Sequence, residues 1–143
     1  MLLGNFTLNY IKKSLMIKKI NVAVIGLGVG LKHALIYKKN KYCNLKIICE
    51  KRKDKIRKFK NYFPNVKFTT NENDIFINKS INLVSIASYD NFHYQHVKKS
   101  IENNKHTMIE KPICLKETEL KKLSFILKKK KKNKNLYKFY FKR

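Results

Sequence analysis

Three groups of residues in this chain of 143 could take part in chemistry. The first is the glycine run Gly26, Gly28 and Gly30 in VAVIGLGVGLKH, with Val29 inside the same turn. Glycine lets a phosphate reach the backbone where a Cβ would block it. A helix opening just after the turn adds free N–H groups and the positive end of its dipole. The second is Glu50, which closes the apolar run LKIIC 22 residues after Gly28. An acid about 20 residues beyond a glycine turn is placed to hold the ribose hydroxyls of an adenine dinucleotide. The third is HTMIEKP, where Glu110 and Lys111 end an apolar run and Pro112 fixes the backbone behind them. A charged pair there is either a solvated strand end or a reactive group aimed at a ligand. The edge of the sheet it occupies decides which.

The glycine spacing departs from G-x-G-x-x-G, because position 31 is Leu and the third glycine comes one residue early. G-x-G-x-G also occurs in methyltransferases that bind S-adenosylmethionine, and these usually carry an acid two residues before the first glycine. Val24 holds that position here, which favours the dinucleotide. A tight turn with no ligand is the plain structural alternative. His93 and His96 lie three apart on a helical pattern, but no third metal ligand accompanies them, so no metal site is expected and both read as core or surface histidines.

The elements that must position these groups follow from periodicity. Buried strands are expected at Asn21–Ile25, Leu45–Cys49, Val66–Thr69, Leu83–Ala87 and His106–Glu110. Helices are expected at Gly30–Lys39 with Leu31, Ala34 and Leu35 inward, and at Asp54–Tyr62 with Ile56, Phe59, Tyr62 and Phe63 inward. Further helices are expected at Phe92–Asn103 with Phe92, His96, Val97 and Ile101 inward, and at Glu117 to about Lys130 with Leu120, Leu123, Phe125 and Leu127 inward; Glu72–Ile77 reads as a helical turn. Strands alternating with helices give right-handed crossovers and a parallel sheet covered on both faces. The expected fold is therefore a single α/β domain, a doubly wound parallel sheet of the Rossmann kind, whose ligands sit at the carboxyl ends of the strands.

Composition bounds the partners. The formal net charge is +25, with 34 Lys and Arg against 9 Asp and Glu. So basic a chain raises nucleic acid as a partner. Yet the arginines are only Arg52, Arg57 and Arg143, and base readers lean on arginine. Lysine is spread over every segment beside many Asn and Ile, all with A/T-rich codons, so an A/T-rich genome accounts for the charge and nucleic acid is not the expected partner. Three cysteines, Cys43, Cys49 and Cys114, without C-x-x-C spacing fit a reducing cytoplasm. No apolar run approaches a membrane span, and the first residues lack the pattern of a signal peptide. Residues 1–17 read as an amino-terminal extension, with Met16 an alternative start to Met1.

Taken together, VIGLGVGLKHA, VSIASYDNFHYQHVKKSIENNKHTMIEKP and the Glu110-Lys111-Pro112 triplet within it resemble the amino-terminal part of the glucose–fructose oxidoreductase, inositol dehydrogenase and rhizopine-catabolism family (Gfo/Idh/MocA). The resemblance covers roughly residues 18–128. It implies an NAD(P)-dependent oxidoreductase acting on a hydroxyl of a sugar, cyclitol or sugar-nucleotide. It implies that Lys111 is catalytic, binding the substrate hydroxyl and assisting its proton loss. Lysine suits that role, since desolvation readily lowers its pKa and its cation stabilises an alkoxide. It further implies that Glu110 orients the site, that the bond before Pro112 is cis, and that Ser88, Asp90, His93 and Glu110 meet the cofactor. His33 stands where the family often has a histidine. The loop ASYDNFH departs from the family's Thr-Pro-Asn-x-x-His at Tyr89 and Asp90. Glu50 favours NAD by repelling a 2′-phosphate, while Lys51, Arg52 and Lys53 could accept one and leave NADP open.

Family members continue into a second α+β domain with further substrate contacts and the oligomer interface, and this chain is expected to lack it. Residues 131–143 read as a basic tail, and a reading-frame slip within Lys128–Lys132 would explain why Leu136–Arg143 fits neither an amphipathic pattern nor the family. The alternatives are a dinucleotide-binding module without catalysis and a lysine-rich nucleic-acid binder.

Overall fold

Among the described residues, six parallel strands are joined by helices that lie on both faces of the sheet. The strands are β1 Ile20–Ile25, β2 Cys43–Cys49, β3 Lys67–Thr69, β4 Leu83–Ile86, β5 His106–Ile109 and β6 Phe139–Phe141. The helices are α1 Gly30–Lys39, α2 Lys53–Phe59, α3 Asn73–Phe76, α4 Asp90–Glu102 and α5 Glu117–Lys132, with a 3-10 turn at Lys60–Tyr62. This is a computed structural model, which describes residues 19–132 and 139–141. The expected extension at 1–17 lies outside the described residues, as does most of the expected tail.

The strand order is β3-β2-β1-β4-β5-β6. The chain winds outward one way from β1 to β3, then returns and winds the other way from β4. The loops after β1 and β4 therefore part company and leave a crevice at the carboxyl edge. Two cores lie on either side of the sheet. Ala23, Ile25, Ile47, Val84, Ile86 and Ile109 face Val97, Ile101 and Leu123 of α4 and α5. Val24, Leu45 and Ile48 face Ala34 and Phe63. A register shift opposite Val22 and Ala23 leaves Lys46 unmatched and exposed, so the lysine inside LKIIC does not enter either core.

The five expected strands and four main helices form. Five inward assignments differ. Phe92, in the first turn of α4, stands half exposed. Leu35 is exposed, and α1 turns Gly30, His33 and Ala34 to the sheet, with half-buried Tyr37 on the same side. Tyr62 lies exposed beside buried Phe63. On α5, Leu120 and Phe125 point outward, while Leu123 is buried and Ile126 and Leu127 pack beside it. On α1 and α5 the helix buries the i, i+3, i+4 stripe that meets the sheet, and apolar residues off that stripe stay outside. The stretch read as a tail also contributes β6, which pairs in parallel with β5 through Thr107–Phe139, Met108–Tyr140 and Ile109–Phe141.

Candidate functional site

Gly26 leaves β1 with φ +92°, and its N–H donates to the Cys49 carbonyl at 2.8 Å. A Cβ at Gly26 would stand 2.4 Å from the Ala87 carbonyl oxygen, so the loop after β1 lies directly on the loop after β4. Above Gly28 nothing lies within 4 Å of a built Cβ. Gly30 is crowded where Gly28 is open. Its Cβ would be 3.1 Å from Ala87 Cβ and Val24 Cγ1, so the early third glycine still lets the helix start close onto the strands.

The crevice holds a cleft of about 400 Å³. Its floor is the glycine turn and its far wall includes Glu50, Lys51, Arg52 and Glu72, with Ser88, Tyr89 and Asp90 across from them. Glu50 is buried at the end of β2. Its Oε2 accepts from Leu27 N–H at 2.8 Å and its Oε1 from Arg52 N–H at 3.0 Å, so the acid is locked to the glycine loop. Each carboxylate oxygen can take a further donor, as ribose hydroxyls would require. Lys55 Nζ stands 3.8 Å away.

The basic residues beyond Glu50 are already engaged. Arg52 pairs with Asp54 through two contacts, at 2.6 and 3.3 Å. That hydrogen bond raises the arginine's pKa and lowers the acid's. Lys51 Nζ sits 2.7 Å from Glu72, which also takes Lys99 Nζ at 3.3 Å. The Lys51 hydrogen bond is the main reason the Glu72 carboxyl falls to about 2. His96 Nε2 lies 4.0 Å from the same carboxylate, and its Nδ1 bonds Ser88 Oγ at 2.9 Å. Burial is the largest effect on its ring and pushes its pKa down to about 4, so it is neutral at physiological pH. Burial likewise raises the Cys49 thiol to about 12, which makes it an inert wall. Tyr89 and Phe92, 70% and 49% exposed, supply apolar surface at the mouth.

The triplet Glu110-Lys111-Pro112 follows β5, on the carboxyl edge that also carries the glycine loop. The Lys111–Pro112 bond is cis. His33 Nε2 meets Glu110 Oε1 at 2.8 Å, and His33 Nδ1 meets Ser85 Oγ at 2.9 Å. His93 is wholly buried between the Pro112 carbonyl at 2.5 Å and the Ser88 carbonyl at 2.9 Å. Lys111 is exposed.

The expected residues thus divide. Gly26, Gly28, Val29, Glu50, Ser88 and Asp90 line the cleft. Gly30 packs beneath it, and His93 holds backbone carbonyls instead of facing a ligand. Glu110 and Lys111 stand beside the cleft without lining it. Cys49, Glu72, Phe92 and His96 line it without having been expected there. The available signal was that loops following the third and fourth strands also open on the carboxyl edge. No group of three or more His, Cys, Asp or Glu suited to a metal ion occurs among the described residues, and no helix among them is long and apolar enough to cross a membrane.

Open space over Gly28, a buried acid bracing the loop and a helix start aimed at the cleft fit an adenine dinucleotide. Comparison with known proteins agrees. Residues 20–137 match the family model GFO_IDH_MocA, described as an oxidoreductase family with an NAD-binding Rossmann fold. The chain belongs to that family. It is thus part of an NAD-binding oxidoreductase family. No curated protein sequence matches it. Among solved structures, apo scyllo-inositol dehydrogenase from Lactobacillus casei superposes with a TM-score of 0.78 at 22% identity, covering 89% of this chain and 37% of that one. The same enzyme with NAD(H) and scyllo-inositol bound gives 0.76 at 23%, over 87% and 36%. Biliverdin reductase from Synechocystis, in complex with biliverdin and NADP+, gives 0.76 at 19%, over 86% and 37%. This family member therefore spans little more than a third of the length of these structures.

Proposed function

We propose that this chain is the cofactor-binding part of a dehydrogenase acting on a hydroxyl of a sugar or cyclitol, with Lys111 as the group that takes the hydroxyl proton. One observation carries the reading: Lys111 and the glycine loop share one edge of the sheet, with the cleft and its bound acid Glu50 between the two strand sets. NAD, when bound, supplies the hydride acceptor. The glycine turn receives the pyrophosphate against the start of α1. Glu50 holds the ribose. Lys111, exposed beside the cleft, meets the substrate hydroxyl where the nicotinamide end emerges, and Glu110 holds the backbone that presents it. That a neighbouring structure holds NAD(H) and scyllo-inositol supports the substrate class.

A second reading has its own observation. The chain spans little more than a third of the length of its structural neighbours, and its cleft is complete in the elements a dinucleotide needs. In this reading it is a dinucleotide-binding module without catalysis.

NADH fluorescence tests the shared part of both readings, and the absence of tryptophan leaves no indole signal to compete. Saturable binding is the expected result. DNA binding that falls steeply with salt, without any NADH response, would overturn both. A turnover assay with NAD and a polyol separates them: polyol oxidation by the unmodified protein that is lost in Lys111→Met, with NADH binding retained, supports the catalytic role, and NADH binding without turnover supports the second reading.

A further inference from the structure

The turn that carries Lys111 is held on both sides by buried histidines, each from a helix that opens at the cleft. From α1, His33 spans Glu110 and Ser85. An ionised carboxylate only accepts, so His33 Nε2 carries the hydrogen; in the neutral ring Nδ1 then accepts from the Ser85 hydroxyl. Ser85 is fully buried in β4, so no water competes for that bond. The order serine, histidine, glutamate looks like a hydrolytic relay, but a hydroxyl with no exposure cannot reach a substrate. Ser85 instead fixes the tautomer and the angle of the ring. Tyr37, one turn along α1, closes the same polar strip with a bond to Met108 Sδ at 3.0 Å. From α4, His93 grips the Pro112 and Ser88 carbonyls.

We propose that His33, oriented by Ser85, is the positioning residue that sets Glu110 and with it the Lys111 turn, and that it ties this turn to the glycine loop. The second half of the claim follows from its place on α1. His33 is three residues beyond Gly30, and Gly30 sits hard against Val24 and Ala87. A phosphate that pulls on the helix start pulls on a ring whose other end is bonded to Glu110. This proposal rests on the cofactor reading of the cleft.

The test is amide NMR of the whole chain with ADP as the probe, because ADP reaches the glycine loop and carries no nicotinamide to touch Lys111. In the unmodified protein ADP shifts the Gly26 and Gly28 amides and also those of Glu110 and Lys111, and the His33 ring shows one tautomer protonated at Nε2. In His33→Leu the response of the turn falls by roughly threefold or more while the glycine amides still move. His33→Gln, whose amide N–H reaches toward Glu110 in place of Nε2, restores the response. A turn that ignores ADP in the unmodified protein overturns the proposal, as does an undiminished response in His33→Leu; in both cases the cofactor reading stands. Glycine amides that do not move overturn the two together. Should His33→Leu fail to fold, Ser85→Ala decides: mixed ring tautomers with a weakened turn response support the proposal, and an unaltered response refutes it.

Discussion

Gly26 and Gly28 lie two residues apart, yet replacing them by alanine should fail in different ways. At Gly26 the backbone is in the left-handed region, φ +92°, which costs an alanine about 1–2 kcal/mol. Its Cβ would also sit 2.4 Å from the Ala87 carbonyl oxygen and 2.9 Å from its carbon. Both are backbone atoms, so strands β1 and β4 must shift apart at their ends, at an overpacking cost of about 1–3 kcal/mol. The total of about 2–5 kcal/mol lowers Tm by roughly 10 °C in a domain of this size. At Gly28 a Cβ meets nothing within 4 Å, so Gly28→Ala melts with the unmodified protein. The same methyl stands where a pyrophosphate would dock, and a clash there weakens NADH by roughly five- to hundredfold. Thermal unfolding followed by circular dichroism, paired with NADH fluorescence titration, reads both effects. A Gly28→Ala protein that binds NADH normally would refute the placement of the phosphate. An unshifted melt for Gly26→Ala would refute the stacking of the two loops.

Other expectations follow from the walls of the cleft. Glu50→Gln removes a charged acceptor facing the ribose and should weaken NADH about tenfold or more; an unchanged Kd would leave Glu50 only as the brace for Leu27 N–H. Asp54→Asn frees the Arg52 guanidinium and should raise NADPH affinity relative to NADH several-fold, roughly three- to tenfold, in parallel titrations. Acid should destabilise the fold in two windows. His96 titrates at about 4 when folded against its usual 6.5, so the unfolded chain takes up the proton first and stability falls with pH across 6.5 to 4. At 1.36 kcal/mol per unit this amounts to about 3 kcal/mol. Glu72, held at about 2 against 4.5, contributes stability that is complete above 4.5 and lost toward 2, about 1–2 kcal/mol after allowing for solvent at the cleft mouth. Urea unfolding at stepped pH should show both slopes, and His96→Gln should flatten the upper one.

The alternation of apolar runs and helical stripes made the sheet, its crossovers and its ligand edge legible, because strands buried on both faces must be apolar throughout. Glycine spacing and the acid at the end of β2 located the cleft for the same reason: backbone geometry there admits few residue types. Side-chain partners were another matter. Whether Arg52 points at a 2′-phosphate or at Asp54 depends on rotamers, and the sequence records only that both charges exist. His93 was expected to meet a cofactor, but its burial between two carbonyls arises from the crossing of α4 over the loop after β5. Leu35, Leu120 and Phe125 misled because apolar character alone cannot tell a core stripe from an exposed flank. β6 was obscured by the lysines that precede it, although Phe139, Tyr140 and Phe141 have the strong β preference of aromatic residues.

Ala87 is touched from two directions. Its carbonyl lies under Gly26, and its methyl lies against Gly30. The backbone of one residue therefore sets the spacing at the first end of the glycine turn and its side chain the spacing at the last, though that residue is an ordinary alanine in a loop. Changes at 87 and at Gly30 should be tolerated only in combination, a larger side chain on one side needing a smaller one on the other, whereas a side chain at Gly26 can be admitted only by a moved backbone. Position 87 is a setting screw for the loop, and serine or glycine there offers a way to tighten or slacken the grip on a cofactor while leaving Glu50 and the triplet at Lys111 unaltered.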